Sequence, residues 1–302
     1  MGESSWFVHV VTLSLLQNGD GSTALEANMT KTVLIVGVTG GQGSAAARAL
    51  LASGWLVRGL TRHTSSDGAR SMAEQGVQLV QGDLDDSSAV AKAMAGVDAV
   101  FAVTNWFKVG VEREVRWGKM LAQAAIDADV SHFVYASAIC ADQATGVPHF
   151  ESKGEVERYL RDLPMQCTIL RPGIFMEDLT DARYVPAASW GMMPRLVGRD
   201  TPIPWVALDD IGAAVASALD AQEGPKFRVV ELVGDVRSMR EARVAFRVSG
   251  RKVFGLPMPA WLFERMVSAE LVNMWRWLGR SEKSWSCTDP TLRDMNAWLR
   301  MG

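Results

Sequence analysis

The chain has 302 residues, 48% hydrophobic and 22% charged, an ordinary globular composition with length for one large domain or two smaller ones. A net charge of −3 at pH 7 advertises neither nucleic acid nor an acidic membrane surface, although a total does not exclude a local basic patch. Three widely spaced cysteines, Cys140, Cys167 and Cys287, imply no disulfide framework, and four histidines without clustered ligands imply no metal site. A reducing compartment is expected, the cytoplasm or, in a eukaryote, also the nucleus.

Residues 1–28 stand apart. The apolar run Trp6 to Leu16 is too short for a bilayer, which needs about 20 residues. No lysine or arginine precedes it, so it makes a poor signal peptide. The expectation is an added extension that packs poorly, with Met29 as the natural start. The alternative is an extra strand or helix covering an apolar patch.

From Thr32 onward, β-branched runs alternate with helical patterns. A buried strand over 32–37 leads through a glycine turn into a helix over 41–53. The turn, "VGVTGGQG", spaces Gly37, Gly40 and Gly43 as G-x-x-G-x-x-G, with Thr39, Gly41 and Gln42 between them. A pyrophosphate needs backbone N–H groups aimed at it, and glycine removes the side chains that would hold it off. The turn follows the first strand of a βαβ unit, which favours nucleotide binding over a merely tight turn. The second strand, 55–61, ends in "TRHTSS", with Arg62 where a binder of unphosphorylated dinucleotide carries an acid. A guanidinium pairs with a 2′-phosphate. The cofactor expected is therefore NADP(H).

A helix near 68–75 leads to a third strand, 76–82. "QGDLDD" ends it, with Asp83 beside the adenine position and Asp85 and Asp86 placed to cap and start a helix over 86–95. The fourth strand, 98–104, ends in Thr104 and Asn105, at the carboxyl edge where ligands of such sheets bind. Either residue could instead satisfy loop backbone groups. A helix over 112–129 and a fifth strand over 132–138 follow, with Ser137 and Cys140 just beyond; the thiol is redox-sensitive if exposed and inert if buried.

The helix over 150–162 carries an anomaly. At about 100° per residue, His149, Lys153, Val156, Leu160 and Leu163 share one stripe, and Glu151, Glu155, Arg158 and Asp162 lie opposite. The stripe thus turns a lysine inward, where an ammonium is costly unless paired. A sixth strand covers 167–173. The Pro-, Gly- and Met-rich segment "YVPAASWGMMPRL" reads as a loop-rich substrate side. A helix over 208–221 with an acidic start and a seventh strand over 226–234 return to the sheet. Residues 237–302 are mostly helical and hold five of the eleven tryptophans.

This rhythm predicts an α/β fold, a doubly wound parallel sheet covered on both faces, with a smaller, mostly helical C-terminal lobe. The core would span 29–180 with 208–235 returning to it. The lobe would comprise 181–207 and 236–302 and face a substrate or partner.

The segments "GVTGGQG", "LTRH", "VQGDLDD", "VTNWF", "HFESKGEVERYLRD" and "LRPGIFMEDL" together resemble the NmrA-like proteins, atypical members of the short-chain dehydrogenase/reductase superfamily. The NADPH-sensor subgroup is the nearest. The resemblance implies a Rossmann-type fold binding NADP(H) through Gly37 to Gly43 and Arg62, with Asp83, Thr104, Asn105 and Lys153 lining the cofactor. It also implies that Pro172 and Phe175 pass beside the nicotinamide, and that Lys153 meets the nicotinamide ribose. Lys153 corresponds to the lysine of the superfamily's Tyr-x-x-x-Lys pair. His149 stands where the tyrosine is expected, so the proton donor is replaced while the cofactor anchor remains. His149 could act as the acid, or cap or pack in its helix.

Two functions follow. The leading one is an NADP(H)-binding redox sensor that acts on a regulatory protein partner, with a homodimer as an expected assembly. The alternative is an NADPH-dependent oxidoreductase of quinones, enones or similar small apolar conjugated substrates, whose catalytic candidates would be Lys153 and His149. Neither requires nucleic acid or a membrane.

Overall fold

The computed structural model describes residues 30–105, 107, 109–182, 186–221, 224–266 and 268–301. The proposed extension over 1–28 lies outside them. Seven strands form one parallel sheet: β1 (Thr32–Val36), β2 (Leu56–Thr61), β3 (Gln78–Gln81), β4 (Ala99–Ala102), β5 (His132–Ala136), β6 (Gln166–Pro172) and β9 (Phe227–Leu232), in the order β3-β2-β1-β4-β5-β6-β9. The order reverses between β1 and β4, which opens a crevice above their carboxyl ends.

Strand period explains the layers. Val33 and Ile35 of β1 face one core with Ala99 and Phe101 of β4, while Leu34 and Val36 face another with Val100 and Ala102. The first core is covered by α1 (Gly41–Ala52) and α7 (Leu208–Asp220), the second by α3 (Ser87–Met94), α4 (Val111–Asp127) and α5 (Pro148–Arg161). Helix α2 (Asp67–Glu74) follows β2 and is capped by Ser66, whose hydroxyl accepts from the Ala69 N–H. Asp86 caps α3 by accepting the N–H groups of Ser88 and Ala89 at 3.0 and 3.1 Å, a device worth about 1 kcal/mol. Asp85 does not cap. It binds the guanidinium groups of Arg113 and Arg116 and the Trp117 indole N–H instead.

A third core lies under a smaller sheet ordered β10-β8-β7: β7 (Ile174–Phe175), β8 (Ile203–Val206) and β10 (Asp235–Arg237). It is packed by α6 (Pro186–Leu196), α8 (Met239–Val248), α9 (Ala260–Met266), α10 (Ala269–Arg280) and α11 (Met295–Met301). The segment expected to be loop-rich is thus largely helical: α6 holds its course through Pro194 because Ala188, Trp190, Met192 and Met193 are buried against this core. Tertiary packing outweighs the proline penalty there. No helix of the described residues is long and apolar enough to cross a membrane, and no group of His, Cys, Asp and Glu among them could hold a metal ion.

Candidate functional site

The crevice begins where β1 ends. Gly37 adopts φ +81°, a region that favours glycine, and a Cβ there would stand 3.1 Å from the Val103 carbonyl oxygen. The Gly40 N–H closes the turn on Gly37 O at 2.9 Å. Gly40 then caps α1 without a side chain, and the first helical bond runs from the Ser44 N–H to Gly40 O at 2.9 Å. The amides of Gly41, Gln42 and Gly43 therefore lie in the first turn of an N-terminus with no side-chain cap. Gly43 lets α1 sit down on the turn, since a Cβ there would lie 2.7 Å from the Gly37 carbonyl carbon. The Gln42 Oε1 is buried with no hydrogen-bond partner among the described residues.

A cavity of about 270 Å³ opens over this turn. Gly37, Thr39, Arg62, His63, Ser66, Asp83, Thr104, Asn105 and Trp117 all line it. The fold thus brings together residues from the ends of β1, β2, β3 and β4 that are far apart in the chain. Arg62 is exposed and its guanidinium forms no ion pair among the described residues. Asp83 accepts the Asp85 N–H at 3.0 Å, and Asn105 accepts the Phe107 N–H at 2.9 Å, so each also serves its own loop.

Lys153 points inward as its stripe predicts, and it stands behind Thr104 rather than among the residues lining the cavity. Its ammonium donates to Thr104 O at 3.0 Å, Thr104 Oγ1 at 3.0 Å and Ala136 O at 2.9 Å. It pairs with Glu114 Oε1 at 3.1 Å and lies 4.9 Å above the Tyr135 ring. Burial works to lower the lysine pKa, but the Glu114 carboxylate and Tyr135 raise it on balance. Burial pushes the Tyr135 phenol up. Glu114, fully buried, also receives the Ser152 hydroxyl at 2.6 Å. Sequence reasoning missed Glu114. The signal was present: it shares the buried stripe of α4 with Trp117, Gly118 and Leu121.

The other expected residues sit elsewhere. His149 is buried, with Nδ1 3.3 Å from Glu270 Oε1 of α10 and its ring edge-on to Phe150. Pro172 ends β6, and Phe175, in β7, packs against the core beneath α1 and α7; neither lines the cavity. Ser137 donates to Glu157, which Arg171 also grips at 3.0 and 2.5 Å. Cys140 is buried, and burial pushes its thiol pKa up, which places it in the inert class.

A model of the NmrA-like family matches residues 29–292. The chain belongs to the NmrA-like family. This NmrA-like protein is 32% identical over 146 residues to an NAD(P)H azoreductase of Xenophilus azovorans. That match covers 48% of this chain and 49% of the azoreductase, so the chain spans about half the length of that curated relative. Among solved structures, Citrobacter sp. triphenylmethane reductase complexed with NADP(H) superposes with a TM-score of 0.70 at 20% identity, over 89% of this chain and 99% of that one. NmrA, a negative transcriptional regulator in complex with NAD, gives 0.70 at 23% identity, over 90% and 95%. These likenesses establish the Rossmann-type fold of this NmrA-like protein.

Proposed function

We propose that this NmrA-like protein binds NADP(H) in preference to NAD(H) and works as a cofactor-sensing regulator acting through a protein partner. The chain's residues suit the phosphorylated dinucleotide. The uncapped amides at the start of α1 would hold the pyrophosphate. Arg62 would take the 2′-phosphate, and "TRHTSS" offers no acid to repel it. Asp83 would flank the adenine, and Thr104 and Asn105 the nicotinamide half. The reduced cofactor is a hydride source wherever it binds.

The observation that carries the regulatory reading is the engagement of Lys153. Its ammonium is held by Thr104, Ala136 and Glu114, and the residue four positions earlier is a histidine in contact with α10. The pair that moves the proton in related dehydrogenases is thus half replaced and half withdrawn. A reductase reading is favoured by the azoreductase and triphenylmethane reductase likenesses. Quinones, enones and similar conjugated acceptors draw their proton from water and need no side-chain donor.

Titrating NADPH and NADH against tryptophan emission, with Trp117 on the cavity wall, tests the shared part: tighter binding of NADPH is expected. Sedimentation and partner binding with NADP+, NADPH and no cofactor test the regulatory part, and identical behaviour in all three states would remove it. Sustained NADPH oxidation with a panel of quinones and azo dyes would hand the assignment to the reductase reading.

A further inference from the structure

The cavity over the glycine turn is one-sided. Its walls come from the ends of β1, β2, β3 and β4 and from Val109 and Trp117; among the described residues none comes from β5, β6 or the smaller lobe. Its volume, about 270 Å³, lies below the roughly 300–1,000 Å³ of pockets that bury most of a drug-sized ligand. A dinucleotide is larger still, so this cavity encloses only part of one.

The two halves of that ligand meet different chemistry. At the ends of β2 and β3 stand Arg62, with no ion pair among the described residues, and the exposed His63 and Ser66. At the ends of β4, β5 and β6 the polar groups are already engaged. Thr104 Oγ1 donates to Glu114 Oε1 at 3.2 Å and, with the Thr104 carbonyl, accepts from Lys153. Asn105 Oδ1 accepts the Phe107 N–H at 2.9 Å, and Ser137 donates to Glu157.

Charge at that end is compensated as well. Lys153 faces Glu114 at 3.1 Å, and Arg171 lies between Glu157 and Asp142 at 2.5 and 3.0 Å. Lys283 stands 3.7 Å from Glu231. Glu270 lies 3.3 Å from His149 and in the first turn of α10, whose dipole offsets its charge. NADP+ and NADPH differ in this half alone: taking up hydride removes the positive charge of the nicotinamide and leaves the 2′-phosphate untouched. A protein separates two ligand forms only through groups that interact with them differently. A lone carboxylate beside the ring would favour the cation, whereas compensated pairs favour neither form.

We propose that this protein recognises the 2′-phosphoadenosine diphosphate portion of its ligand and is indifferent to the redox state of the nicotinamide. It would then report the size of the NADP(H) pool and not its reduction. This rests on the NADP(H)-binding regulator reading above and names what that regulator senses.

The test is calorimetric titration of the full chain with NADPH, NADP+, NADH and 2′-phospho-ADP-ribose, the probe that lacks only the nicotinamide ring. NADP+ and NADPH are expected to bind within about threefold of each other, and 2′-phospho-ADP-ribose within about tenfold of both, where tenfold is about 1.4 kcal/mol. Arg62→Ala should weaken all three phosphorylated ligands by one common factor. A larger gap between NADP+ and NADPH, a weaker 2′-phospho-ADP-ribose, or unequal losses in Arg62→Ala would overturn the proposal. The two claims fail differently. NADPH binding no tighter than NADH sinks the NADP(H) reading itself. NADPH outbinding NADH, with NADP+ or the ring-less nucleotide outside those limits, sinks this inference alone.

Discussion

A guanidinium at the end of β2 separates a phosphate from a hydroxyl by charge, and Arg62 is free to do so. A charge-assisted hydrogen bond contributes about 1.5–3 kcal/mol. Arg62→Ala is therefore expected to weaken NADPH roughly ten- to a hundredfold and to leave NADH nearly unchanged, as read by fluorescence titration. Lys153 answers to different energetics. Removing one partner of a buried pair strands the other charge at a cost of about 3–5 kcal/mol. Lys153→Met should lower the urea midpoint accordingly, and adding Glu114→Leu should restore much of it. Folding raises this lysine's pKa above 10.5, so its contribution is complete below that pH and fades as the pH climbs through the higher folded value. The inward turn of Lys153 was legible from helical phase. The reason it is tolerated was harder to see: Glu114 shares the apolar stripe of another helix with Trp117, Gly118 and Leu121, but inside "VEREVRW" three neighbouring charges mask that stripe as a solvated face.

At the scale of elements, the seven parallel strands were legible because each is an apolar run with helical period on both sides. Strands β7, β8 and β10 were not, since each spans two to four residues and β8 contains Pro204. Helix α6 escaped for a similar reason: Gly191 and Pro194 lower its local propensity, and only the buried lobe core holds it. The glycine turn was legible as a motif, and its packing makes it testable. Gly43→Ala would gain about 1 kcal/mol of helix propensity. The new methyl would press on the Gly37 carbonyl, and overpacking against a rigid neighbour costs about 1–3 kcal/mol. The clash wins because backbone cannot swing aside. The expected outcome is a lower melting temperature together with weaker NADPH binding, because α1 must lift off the turn.

At the scale of the whole molecule, acid should unfold this protein earlier than its carboxylates alone dictate. His132 begins β5, is buried, and shares a proton with Thr168 Oγ1 at 2.8 Å. Burial drops its pKa from 6.5 to about 4. Between those values the unfolded chain takes up a proton that the native one refuses, so stability falls as the pH is lowered from 6.5 toward 4. Denaturant melts across that window should show the slope, and His132→Gln should flatten it. The strand order has a last consequence, for biogenesis. Strand β6 is emitted long before β9, its neighbour on the sheet's outer side. A nascent chain on the ribosome thus holds an unzipped Ile- and Leu-bearing edge until the return strand is translated, and that interval is when a chaperone has most to shield.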